Sequence, residues 1–185
     1  MKKRGVTMAL IKEEDVRLEE VLSVAKKMAI AARTAPKAKG VDNLEIAILT
    51  GPELVSLANH MTNMVKKGSP KFFLRDAGNV LASQALFVIG TKIKSFGIPT
   101  CGWCGLENCA EKVKSPDTPC VFNTTDLGIA VGSAASIAMD NRVDNRIMYS
   151  VGKAVVDMGI LGPDIKLAYG IPLSVSGKSP FFDRG

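Results

Sequence analysis

All four cysteines of this 185-residue chain fall between Cys101 and Cys120. The segment Gly97 to Cys120 also holds three prolines and three glycines. Proline removes backbone donors and glycine leaves the backbone unrestrained, so neither a helix nor a strand is expected to run through it. A loop of that length inside a compact domain needs a reason, and a bound inorganic centre supplies one.

The spacing is Cys101-x2-Cys104-x4-Cys109-x10-Cys120. Thiolates are soft ligands, and four of them suit a tetrahedral zinc or an iron–sulfur cluster. Zinc sites usually show two Cys-x2-Cys pairs, and this chain has one. Clustered cysteines with unequal short gaps are a ferredoxin habit, although these gaps match neither standard ferredoxin run. The expected ligand set is Cys101, Cys104, Cys109 and Cys120 around a [4Fe-4S] cluster, with zinc and unliganded redox thiols as alternatives. Gly102 and Gly105 free the backbone to wrap a centre, and Trp103 is placed to shield it from water. A thioredoxin-type pair at Cys101 and Cys104 would leave the other two thiols without a purpose.

Disulfides are rare in a reducing cytoplasm, and close cysteines there favour metal over bridges. A cytoplasmic location is expected: the start, Met1-Lys-Lys-Arg4, precedes an apolar run too short for a secretory segment, and no run reaches a membrane span. The formal charge of +6 comes from 24 Lys and Arg against 18 Asp and Glu. These cations are scattered and only 5% of residues are aromatic, which argues against a nucleic-acid partner.

Apolar periodicity predicts the rest. Leu18, Val21, Leu22, Ala25, Met28, Ala29 and Ala32 form one helical face, with Asp15 as the expected N-cap and an end near Thr34, before Pro36. Leu44–Leu49 reads as a strand. Pro52 opens a second helix that buries Leu54, Leu57, Ala58, Met61, Met64 and Val65. A short helix is expected over Asp76–Ala82, and a buried strand over Ala85–Ile89 ending at Gly90. Thr125-Asp126 is the expected cap of a helix over Leu127–Met139, whose Gly128, Gly132 and alanines predict close backbone approach. Another helix follows over Ile147–Met158, then a strand over Ile165–Leu173 and an extended tail from Ser176. The fold class is α+β: one domain over 1–185, a mixed β-sheet covered by helices, with the Cys-rich segment 97–120 inserted.

Other chemistry-bearing residues read as structural. Gly177-Lys-Ser179 lacks the upstream glycine of a phosphate loop, since position 172 is Pro172, and it reads as a turn. His60, the only histidine, reads as a surface residue. Arg33, Lys37 and Lys39 are candidates for holding a phosphate, with solvated charge as the plainer reading. Asp126, Asp140 and Asp144 read as cap and surface residues.

Two families resemble this pattern. Cys101 to Cys120, with Ala32-Arg-Thr-Ala-Pro-Lys-Ala-Lys-Gly-Val-Asp-Asn-Leu44 and Gly170-Ile-Pro-Leu-Ser-Val-Ser-Gly-Lys-Ser-Pro-Phe-Phe-Asp183, is similar to the uncharacterised prokaryotic ferredoxin-domain proteins. That resemblance covers nearly the whole chain and implies a cluster-binding protein without assigning a reaction. Ala31-Ala-Arg-Thr-Ala-Pro36 and Asp126-Leu-Gly-Ile-Ala-Val-Gly-Ser-Ala-Ala-Ser-Ile-Ala138 resemble the nitroreductase family. This second resemblance implies a nitroreductase-like fold and a homodimer holding FMN at its interface. The Arg-Arg-Ser-x-Arg phosphate clamp of that family has no counterpart here, because the spacing of Lys2, Lys3 and Arg4 fails. The expected function is an electron-transfer protein or redox subunit working with a partner protein or a flavin. Alternatives are an FMN-dependent oxidoreductase with an accessory cluster and a zinc-stapled binding module.

Overall fold

The computed structural model describes residues 10–182. Lys2, Lys3, Arg4 and Asp183 lie outside the described residues. Helix α1 (Glu13–Thr34) comes first, followed by strand β1 (Leu44–Leu49) and helices α2 (Pro52–Lys66) and α3 (Phe72–Leu81). Strand β2 (Ala85–Lys92) precedes the Cys-rich segment, which contains helix α4 (Cys109–Lys114). Helix α5 (Val121–Asp140), strand β3 (Asp144–Asn145), helix α6 (Tyr149–Asp157) and strand β4 (Ile165–Ser174) complete the order.

The strands lie in the order β1-β2-β4-β3. Ile46 pairs with Ile89 and Phe87 with Ile171, and every pairing among the described residues is antiparallel. The α+β class holds, but the sheet is antiparallel where a mixed one was expected. Strand β2 is central and buried on both sides, so its residues read as a continuous apolar run rather than an alternation. Ala85, Phe87 and Ile89 face α1 and α5, while Leu86 and Val88 face α2, α3 and α6. Two helical layers therefore enclose one sheet. Burial of this apolar surface is the main stabilising term, at about 25 cal/mol per Å² removed from water.

Several boundaries move, each for a physical reason. Helix α1 begins at Glu13 with Lys12 in the cap position, so Asp15 sits in the first turn, where its charge favours the helix dipole. Val24 joins its buried face and Leu18 is half exposed. Gly90 does not end β2. It lies inside the strand, where a Cβ would meet the Ile165 side chain at 2.5 Å and the Leu167 carbonyl at 2.8 Å. Glycine-mediated close approach occurs there and at α6; on α5, Ala130, Ala134 and Ala138 pack against α1 as the small-residue pattern predicts, while Gly128 and Gly132 have nothing within 4 Å of where a Cβ would stand.

Helix α5 starts six residues before the expected Leu127, with Cys120 as its N-cap residue. Asp126 is consequently neither a cap nor a surface group. It is buried in the helix, and its Oδ1 accepts the Ala38 N–H at 3.0 Å, tying α5 to the turn Ala38–Gly40 after α1. We expect Asp126→Ala to destabilise the fold by about 1–3 kcal/mol in urea unfolding, since it orphans that donor; Asp126→Asn, which keeps an acceptor, should lose less.

Candidate redox site

The segment between β2 and α5 is held against the start of α5 by three rings. Trp103 stacks on Phe122, with centroids 5.7 Å apart and planes 16° apart. Phe96 meets the same Phe122 ring edge-on at 5.8 Å. Trp103 lies between Cys101 and Cys104, and Phe122 lies two residues past Cys120. The stack thus packs the turn that carries Cys101 and Cys104 against the first turn of α5, whose N-cap residue is Cys120. Trp103 is still 71% exposed, so it covers Phe122 more than it screens a centre.

Gly102 and Gly105 take positive φ, +62° and +86°, which lets the chain turn sharply about Cys104. The Gly105 N–H closes that turn on the Gly102 carbonyl at 3.0 Å. Asn108 then caps α4, its Oδ1 accepting the N–H groups of Ala110 (2.9 Å) and Glu111 (3.1 Å). The Lys112 amine is buried and donates to the carbonyls of Ser115 and Pro116, which fixes the return path to Cys120.

Cys109 sits in a donor-rich pocket. The Ser95 hydroxyl, the N–H groups of Ile98 and Gly97 and the nearby Lys112 charge stabilise its thiolate against desolvation, with Ser95 foremost, and hold the thiol below the usual thiol range. Cys101, Cys104 and Cys109 are half-buried, and Cys120 is buried. In cluster-free reduced protein, Ser95→Ala should raise the pH at which Cys109 becomes alkylable and slow its alkylation at neutral pH, measured by mass spectrometry of iodoacetamide adducts.

Among the described residues, no three His, Cys, Asp or Glu side chains are grouped to hold a metal ion. The structure therefore does not assemble Cys101, Cys104, Cys109 and Cys120 as a ligand set. Near Cys120, however, the Asn123 side chain is fully buried, with its Nδ2 unpartnered and its Oδ1 accepting the Lys94 N–H at 2.7 Å. No side chain caps the α5 N-terminus. Orphan donors of this kind suit an acceptor-rich, negatively charged group. Ser95, Asn123 and Lys112 were not singled out from sequence. Nothing in their spacing marks them, because each meets its partners only through the loop's folding.

The basic trio after α1 is already engaged. Arg33 Nη1 donates to Asp42 Oδ2 at 2.6 Å, and Lys37 Nζ donates to the carbonyls of Ala32, Arg33 and Ala35. Lys37 is a buried cap on the end of α1 rather than a solvated charge, and Lys39 Nζ contacts the Phe96 carbonyl at 3.4 Å. These residues do not form a phosphate cradle. His60 pairs with Asp157 at 2.6 Å, joining α2 to α6.

Fold and layer order define a nitroreductase-fold protein. A nitroreductase-family structure from Clostridium novyi NT superposes with a TM-score of 0.56 at 15% identity, over 91% of this chain and 77% of that one. A nitroreductase with bound FMN from Desulfitobacterium hafniense gives 0.57 at 12% identity, over 91% and 92%. In sequence, an uncharacterized protein of Archaeoglobus fulgidus is 41% identical over 183 residues, 95% of this chain and 97% of the relative. The chain belongs to that family, and residues 116–184 match the family described as "Uncharacterized protein containing a ferredoxin domain (DUF2148)". That span includes Cys120 and begins after Cys101, Cys104 and Cys109. None of the helices in the described residues is long and apolar enough to cross a membrane.

Proposed function

We propose that this chain is a cytoplasmic iron–sulfur redox protein in which Cys101, Cys104, Cys109 and Cys120 ligate one [4Fe-4S] cluster. When bound, such a cluster stores and releases one electron at a time. The observation that carries the reading is the Trp103–Phe122 stack, which sets the Cys101–Cys104 turn against the α5 N-terminus at Cys120. The ferredoxin-domain description of the family supports it.

The chain's own groups fit an anionic, sulfur-rich centre. Ser95 and Gly97 line one cavity with Cys109, and the Ser95 hydroxyl with the Ile98 and Gly97 N–H groups favours its thiolate. Asn123 Nδ2 is an unused buried donor one turn into α5. Donors to cluster sulfurs raise the reduction potential. Ligation requires the three loop thiols to close on Cys120, and metal sites commonly order their ligands on binding. Gly102 and Gly105 supply the backbone freedom for that closure. Titration of anaerobic protein with dithionite tests the reading: visible absorption should bleach as about one electron per chain is taken up. Protein without a reducible chromophore would contradict it.

A second reading rests on the fold: the chain holds a flavin as well, as a homodimer that passes electrons between cluster and FMN or to a redox partner protein. Its support is the likeness to a structure with bound FMN. Ile129 and Met139, exposed on α5 beside Gly128 and Gly132, offer a surface for a second copy. Saturable quenching of FMN fluorescence by the protein would support this reading; none at protein concentrations far above the flavin would remove it.

A further inference from the structure

A cavity of about 350 Å³ lies between α5, α6 and β4, within the size range of small-molecule sites. It stands at the edge of β4, beyond the point where Gly170 pairs with Met148. Both tyrosines of the chain, Tyr149 and Tyr169, line it. Tyr149 is braced edge-on against Phe73, with centroids 6.3 Å apart. Leu127, Val156 and Leu167 supply apolar wall. The wall beside α6 is bare backbone, because Gly152 lets the helix lie directly on the Ala168 carbonyl.

The charge of this cavity is one-sided. Lys153 of α6 and Lys166 of β4 line it, and no lining residue is acidic. Neither lysine forms an ion pair or hydrogen bond among the described residues. Two unpaired ammonium groups beside an aromatic and aliphatic pocket select a molecule with a negative end and a flat apolar body. A cation would be repelled, and a neutral ring would gain nothing from either ammonium group.

We propose that this cavity binds a small organic anion of the aromatic carboxylate class, its carboxylate held by Lys153 and Lys166 and its ring by Tyr149, Tyr169 and Leu127. Pro119 and Thr124, which flank Cys120, form the opposite side, so a bound molecule lies next to the candidate redox site. The binding site stands on its own lining and does not require the cluster.

The test is calorimetry on the full chain with 2-naphthoate and its neutral analogue 2-naphthylmethanol. Naphthoate should bind saturably at one per chain. The Lys153→Gln, Lys166→Gln double variant, which alters two exposed side chains, should weaken naphthoate about tenfold or more and leave the alcohol unchanged. Tyr149→Leu should weaken both. Iron content is measured on the same samples, so an absent cluster with intact naphthoate binding separates failure of the cluster reading from failure of this one. Absence of saturable binding, equal affinity for acid and alcohol, or full naphthoate affinity in the double variant would overturn the proposal.

Discussion

Cys104→Ser is expected to remove the visible thiolate-to-iron absorption of anaerobically purified protein almost completely, and Cys120→Ser to do the same. A serine hydroxyl stays protonated where a thiol ionises readily, and as an alcohol it is a poor ligand for iron. The two variants probe opposite ends of the segment. Cys104 sits in the exposed turn closed by Gly105 and Gly102, whereas Cys120 is only 6% exposed at the start of α5. Neither belongs to the apolar layers on the sheet, so thermal unfolding monitored by circular dichroism should remain cooperative in both. Loss of colour with a retained fold assigns both thiols to the centre. A full cluster signal in Cys104→Ser would show that this ligand set is wrong.

Gly152→Ala should be severely damaging, costing on the order of 4 kcal/mol or preventing folding. A Cβ there would stand 1.8 Å from the Ala168 carbonyl oxygen, 2.3 Å from its carbon and 2.8 Å from the Tyr169 Cα. All three are backbone atoms of β4, so relief requires α6 to lift off the sheet and expose Val151, Ala154 and Val155. The matched control is Gly128→Ala, at an exposed position of α5 with nothing within 4 Å. That change should be neutral or stabilising by about 0.5–1 kcal/mol, because alanine outranks glycine in a helix interior. Urea unfolding of the pair measures both, and similar costs for the two would contradict the packing described.

The same two glycines show where sequence reasoning succeeds and where it stops. Apolar periodicity located α1 and α2, and short apolar runs bounded by glycine and proline located α6 and the three long strands, because each of these signals is written along the chain. The small residues of α5 predicted an approach of backbones but not its place. Ala130, Ala134 and Ala138 do pack against α1, while the glycines among them face outward. Which glycine is crowded depends on register between distant elements, as Gly152 and Ala168 show. The expected Asp126 cap failed for a similar reason: its partner is the Ala38 N–H, 88 residues away in sequence.

At the candidate site, the cysteines were legible because clustered thiols are rare and chemically distinctive. Their setting was not. Ser95 and Asn123 reach Cys109 and Lys94 only through the fold of an irregular loop, and no periodicity encodes such contacts. The reverse holds for Lys37, whose charge looked solvated until its three carbonyl partners at the end of α1 were seen.

The most direct test is iron, sulfide and zinc analysis of protein purified without oxygen. Shared ligation by Cys101, Cys104, Cys109 and Cys120 predicts about four iron and four acid-labile sulfide per chain, with little zinc. One zinc per chain with no sulfide would contradict it and leave the segment a zinc-stapled structural element.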